Sequence, residues 1–113
     1  MTSPIPKPWR AQVVAILRTG NLNRILIRKR AQDDFQSLFP GAFRMELLDC
    51  LADALAPDAL EGRLVTGMKE PGTVYEFIFL HSNVPIYSKI NLCPDGSVII
   101  IYSAHRPLKG TTL

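Results

Sequence analysis

Histidine, cysteine and tryptophan are scarce in this chain of 113 residues, which holds two His, two Cys and one Trp. The only imidazoles are His81 and His105, and Cys50 and Cys93 lie far apart, so no zinc-ligand spacing, CxxC pair or disulfide framework is present. The pattern favours two independent thiols in a reducing compartment over a disulfide. P-loop, GxGxxG, HExxH, EF-hand and GxSxG signatures are all missing, so nothing points to nucleotide cofactors, a metal or an elbow-type serine hydrolase. No uninterrupted apolar run approaches the roughly 20 residues of a membrane span. The amino terminus lacks a signal-peptide h-region. The expectation is a cytoplasmic protein with no cofactor and no membrane partner.

Acidic residues are absent from the first thirty positions, which carry Lys7, Arg10, Arg18, Arg24, Arg28, Lys29 and Arg30. Residues 31–76 then hold nine acids, from Asp33 to Glu76, against Arg44, Arg63 and Lys69. Net charge is only +3, yet this distribution suggests one face for a polyanion and another turned away from it; ordinary solvated charge is the competing explanation. Apolar residues at 47% and a mean hydropathy of +0.11 place the chain among globular proteins. Its length suits a single domain, residues 1–113, with residues 1–8 as a loose, proline-rich leader.

Helical spacing comes first. Trp9, Val13, Ile16 and Leu17 make one apolar stripe, stopped by Gly20. Ala31, Phe35, Leu38 and Phe39 make a second, ended by Pro40-Gly41. Phe43, Leu47, Leu48, Leu51 and Leu55 make a third, over Ala42 to Ala56. Between the first two, Arg24–Arg28 reads as a short edge strand whose arginines flank a sheet, and Leu64-Val65 as a first strand of the remainder. From Val74 onward the chain changes character. Three runs rich in β-branched and aromatic residues, 74–80, 86–92 and 98–106, are separated by turn formers and read as an antiparallel meander. The fold class is α+β, with the amino-terminal helices packed on one face of a carboxy-terminal antiparallel meander.

Alternation along the middle strand points Tyr87, Lys89 and Asn91 one way and Ile86, Ser88, Ile90 and Leu92 the other. A three-residue loop at Pro94-Asp95-Gly96 would set Cys93 opposite Ser97, Asn91 opposite Ile99, Lys89 opposite Ile101 and Tyr87 opposite Ser103, with His105 diagonal to Tyr87. A phenol, an ammonium and an imidazole would then share one face. That set suits RNA cleavage by internal transesterification, because the RNA supplies its own 2′-hydroxyl nucleophile and needs only proton transfer and charge stabilisation. His105, through its imidazole, is the candidate for proton transfer, Tyr87 for donation or acid–base work, and Lys89 for the phosphate. Arg106, Arg63, Glu76 and Arg28 complete the candidate substrate-binding set; Glu76, within an apolar strand, either faces solvent or pairs a cation such as Arg63 or Lys89. Equally, a histidine at a strand end serves as a surface or capping residue, and sheet tyrosines pack with a wet hydroxyl.

Val13-Val14-Ala15-Ile16-Leu17-Arg18-Thr19-Gly20-Asn21-Leu22, the second helical layer, Ile86-Tyr87-Ser88-Lys89-Ile90 and the closing Ile99–His105 strand together resemble the MqsR-type mRNA interferase toxins, within the RelE-like group of small bacterial ribonucleases. The resemblance follows element order over most of the chain. It implies a RelE/MqsR-like fold and a metal-independent mRNA endoribonuclease, with mRNA, on or off the ribosome, as substrate. It also implies a partner antitoxin, a DNA-binding helix-turn-helix protein. Tyr87 and His105 stand where that family has a strand tyrosine and a strand-end lysine, so His105 is a departure from its pattern. The alternative is a non-catalytic module that binds protein or nucleic acid through the same sheet face.

Overall fold

The computed structural model describes residues 1–108, 110 and 113, and among these the chain forms three helices and one six-stranded sheet. In chain order the elements are β1 (Ser3–Pro4), α1 (Lys7–Thr19), β2 (Ile25–Ile27), α2 (Lys29–Leu38), α3 (Arg44–Leu55), β3 (Glu61–Val65), β4 (Thr73–His81), β5 (Val84–Leu92) and β6 (Ile99–His105). The sheet order is β1-β3-β4-β5-β6-β2. Every neighbouring pair is antiparallel except β2 and β6, which run parallel.

Each helix forms where the apolar spacing requires a buried stripe. Proline occupies the first turn of α1, where its missing N–H leaves no helical bond unmade, and Gly20 closes the helix in the left-handed conformation, its N–H on the Leu17 carbonyl. Trp9, Val13, Ile16 and Leu17 are buried, as are Ala31 and Phe35 of α2 and Leu47, Leu48, Leu51 and Leu55 of α3. All join one core with Phe77, Phe79, Ile86, Ile90, Ile99 and Ile101, the alternate residues of the three long strands. Phe43 does not belong to this stripe. It sits at the N-cap of α3 with extended backbone and is 81% exposed, because the helical rotation that aligns Leu47 and Leu51 begins only after it.

The leader is not loose. Ser3–Pro4 pairs with β3, and Ile5 is buried against the core with its N–H on the Leu60 carbonyl. What fastens this segment is Arg10, one of the residues that the charge distribution assigned to a polyanion face. Its guanidinium is buried and donates to the carbonyls of Ile5, Leu55, Ala56 and Pro57 and to Asp58. A helix end leaves its last carbonyls without partners, and Arg10 supplies donors to those of α3 while tying the leader to the same point. Most other amino-terminal cations also meet acids: Arg18 pairs with Asp53, Arg28 with Glu70 and Lys29 with Asp33. The fold thus sets several cations of the basic third beside acids of the middle segment.

Two outcomes follow from this packing. Arg10→Ala leaves several part-buried carbonyls without donors, so urea unfolding should show a loss of about 1–3 kcal/mol, whereas Asp58→Ala, with its exposed carboxylate, should cost far less. The Cys50 thiol is pushed up to about 12, first by burial and then by the carboxylates of Glu46, Asp53 and Asp49. Its folded value thus lies above the ordinary 9.0, so its contribution is whole below that pH and is lost as pH rises towards 12. Denaturation midpoints across that alkaline window should fall less steeply for Cys50→Ala than for the parent.

Candidate active site on the open face of the sheet

Opposite the helices, the sheet presents a second face on which Val74, Asn91 and Ile100 are buried although only their neighbours belong to the core. The β3–β4 connection returns over this end. Asn91 Nδ2 donates to the carbonyl of Pro71 at 3.2 Å and to the Tyr102 hydroxyl at 3.2 Å, and Tyr102 donates to Glu70 at 2.8 Å. Asn91 Oδ1 meets no hydrogen-bond donor because it lies against Gly72; a Cβ there would fall on that oxygen and 2.6 Å from the Leu92 carbonyl oxygen. Gly72 also has φ +136°, which other residues avoid.

Beyond this covered end lies an open depression of about 630 Å³, lined in part by Arg30, Arg63, Tyr87, Lys89, Tyr102, Ser103 and His105. Its shape comes from an irregularity between β5 and β6. The hairpin loop holds four residues, not three: the Cys93 N–H donates to Val98, and Gly96 takes φ +74°. Leu92, Asn91 and Ile90 therefore face Ile99, Ile100 and Ile101, one place away from the pairing that the turn sequence suggested. On that register His105 would point into the core. A β-bulge restores the parity. Ile90 pairs with Ile101 but Lys89 pairs with Ser103, so Tyr102 is the extra residue. From there Ser88 faces Ala104, and Tyr87 stands directly opposite His105 rather than diagonal to it. The buried Ser88 hydroxyl donates to the Ser103 carbonyl at 2.8 Å, securing the bulge from the core side.

The Tyr87 and His105 rings stack with centroids 5.1 Å apart and planes 25° apart. The Tyr87 hydroxyl donates to Glu76 Oε1 at 2.6 Å, and the Arg63 Nε–H donates to Glu76 Oε2 at 2.6 Å. Burial, then the bonded Glu76 carboxylate, pushes the Tyr87 phenol well above its ordinary value. Lys89 Nζ lies 5.8 Å from the Tyr102 ring centroid, and the Arg28 guanidinium lies 5.8 Å from the same centroid. Glu70, bonded to Tyr102 and near Arg28, is held below the usual carboxylate range, chiefly by that phenol.

The depression thus gathers Tyr87, Lys89, His105 and Arg63. Glu76 is buried as the acceptor for both Tyr87 and Arg63 and does not line the depression, so it pairs a cation rather than facing solvent. Arg28 and Arg106 do not line it either. Arg28 is drawn to Glu70, and Arg106 is exposed, presenting its backbone carbonyl to His105. Arg30 is the residue that sequence reasoning missed. It reaches the depression because β2 runs parallel to β6, which carries the start of α2 alongside the end of β6. No local signal marks that pairing. Among the described residues no group of three or more His, Cys, Asp or Glu side chains is placed to hold a metal ion.

Comparison with protein-family models, with curated proteins and with solved structures finds no match. No helix among the described residues is long and apolar enough to cross a membrane.

Gly72→Ala should dislodge the segment that carries Glu70, with a stability loss of more than about 1 kcal/mol. The Tyr102 ring resonances in NMR spectra should shift with it, while those of Phe35 in the core stay in place.

Proposed function

We propose that the protein is a metal-independent endoribonuclease that cleaves RNA by attack of its own 2′-hydroxyl, acting as the toxin of a toxin–antitoxin pair. The stacked Tyr87 and His105 rings, in one depression with Lys89, are the observation that carries this reading. Such a reaction needs a proton acceptor to take the 2′-hydroxyl proton, and cations beside the phosphate as charge gathers on its oxygens. His105 supplies the first. Lys89 and Arg30 supply the second: Arg30 is 86% exposed at its side chain and only 3.9 Å from Asp34, a contact weak enough to yield to a phosphate. Arg63, half-engaged with Glu76, borders the same space. The likeness of the strand sequences to MqsR-type toxins supports the choice of RNA, and with it a RelE-like kinship, mRNA as substrate and an antitoxin as partner.

A second reading, a non-catalytic docking surface, draws on the exposed Leu80 on the same face and the exposed Leu108 at the border of the depression. It predicts that His105→Ala keeps every phenotype. Incubation of the purified chain with RNA in EDTA separates the two. Cleavage should leave 2′,3′-cyclic phosphate and 5′-hydroxyl ends, and His105→Ala should lower the rate by about 10²–10⁴ without moving the melting temperature. RNA left intact both free and on translating ribosomes would sink the ribonuclease reading.

A further inference from the structure

The Arg106 carbonyl oxygen lies 2.7 Å from His105 Nδ1. A carbonyl can only accept, so in this contact Nδ1 carries the hydrogen, and the neutral ring holds its lone pair on Nε2. The lock is local and independent of any ligand. It comes from the backbone where β6 ends and the chain turns away at Pro107.

The Tyr87 hydroxyl is committed in the opposite sense. Its proton points at Glu76, an acceptor that is 8% exposed and already receives Arg63 on its other oxygen. To act as a base, Tyr87 would first have to become a phenolate 2.6 Å from that carboxylate, with two negative charges sharing a largely buried space. To act as an acid, it would have to abandon the bond that fixes its ring. Neither is compatible with the arrangement. What the Arg63–Glu76–Tyr87 chain does is hold the phenol flat beneath the imidazole, leaving His105 one orientation above the sheet.

Resting on the ribonuclease reading, we propose that His105 Nε2 alone takes the proton from the attacking hydroxyl, and that Tyr87 and Glu76 are positioning residues that exchange no proton with the substrate. As the O2′–H proton passes to Nε2, the O2′ electron pair forms the new bond to phosphorus. The P–O5′ bond breaks with its pair on O5′, and O5′ takes a proton from water. The imidazolium returns its proton to the hydroxide so formed. Charged and titratable groups around the imidazole are Tyr87 and Lys89 from β5, Glu76 from β4, Arg63 from β3, Arg30 from α2 and Arg106 at its own strand end. Glu76 is paired with Arg63, Asp34 lies 3.9 Å from Arg30, and the terminal residue Leu113 also lines the depression.

The test uses the full chain with 15N-labelled histidine, read by NMR for the tautomer and by RNA cleavage for kcat, KM and the pH–rate profile. Neutral His105 should show the hydrogen on Nδ1, and the rate should rise with pH through the His105 titration observed in the same sample. Tyr87→Phe keeps the ring and loses only the proton, so it should lower kcat by about tenfold or less and leave that rising limb and KM in place. Glu76→Ala frees the ring, and should lower kcat, leave KM, and broaden the Tyr87–His105 ring contact seen in NOE spectra. His105→Gln should remove the rising limb altogether. A wild-type hydrogen on Nε2, or a Tyr87→Phe loss in the range of about 10²–10⁴ expected of a proton-transfer group, overturns this assignment while leaving the ribonuclease reading intact. A wild-type chain that cuts no RNA overturns both.

Discussion

The structure depends on one extra residue in β6. Strand pairing has a period of two, so a hairpin that closes one residue late turns every later side chain to the wrong face. The four-residue loop after Cys93 does this, and the bulge at Tyr102 undoes it. Between those two shifts, Ile99 and Ile101 enter the core with Leu92 and Ile90, and beyond them Ala104 enters the core with Ser88. Ser103 and His105 are released to the open face, and Tyr102 stays there beside Lys89. Bulges commonly re-aim a side chain next to a functional site, at the cost of a locally unpaired backbone. Here the Ser88 hydroxyl takes up the Ser103 carbonyl, so a polar residue buried among isoleucines is what the bulge requires.

Polar groups on the open face are ordered by a few acceptors rather than by burial. Glu76 gathers Arg63 and Tyr87, and Glu70 gathers Tyr102 and Arg28. Each carboxylate fixes a tyrosine whose ring meets a further group: His105 over Tyr87, and Lys89 and Arg28 around Tyr102. The same device holds the amino terminus, with sign reversed, where the Arg10 cation collects the carbonyls at the end of α3. Such sites concentrate many hydrogen bonds on one charge, so removal of the central group costs more than loss of any peripheral partner.

Much of this was legible in the chain. The helical stripes of Val13, Phe35 and Leu51, the Gly20 stop, the edge strand at Ile25–Ile27 and the alternation of Tyr87 and Lys89 against Ile86 and Ile90 all follow from local spacing. The turn sequence also implies that Tyr87 and His105 are near, but through a register that differs from the observed one at every pair; the bulge restores the shared face. Phe43 was assigned to the core by spacing alone, and the N-cap geometry excludes it. Arg10 was counted with the surface cations, because nothing in Trp9-Arg10-Ala11 tells that the end of α3 will lie above it.

By itself the sequence determined the three helices and the long strands, though not β1 or the start of β3, and which side of each is apolar, because those depend on neighbours three, four or two residues away. Only the tertiary structure decided that β2 lies parallel to β6, that Tyr102 bulges and that Arg30, not Arg28 or Arg106, lines the depression. Those outcomes rest on backbone hydrogen bonds between distant strands. Every residue but proline offers the same donor and acceptor to such a bond, so residue identity leaves the choice of partner open until the whole sheet is assembled.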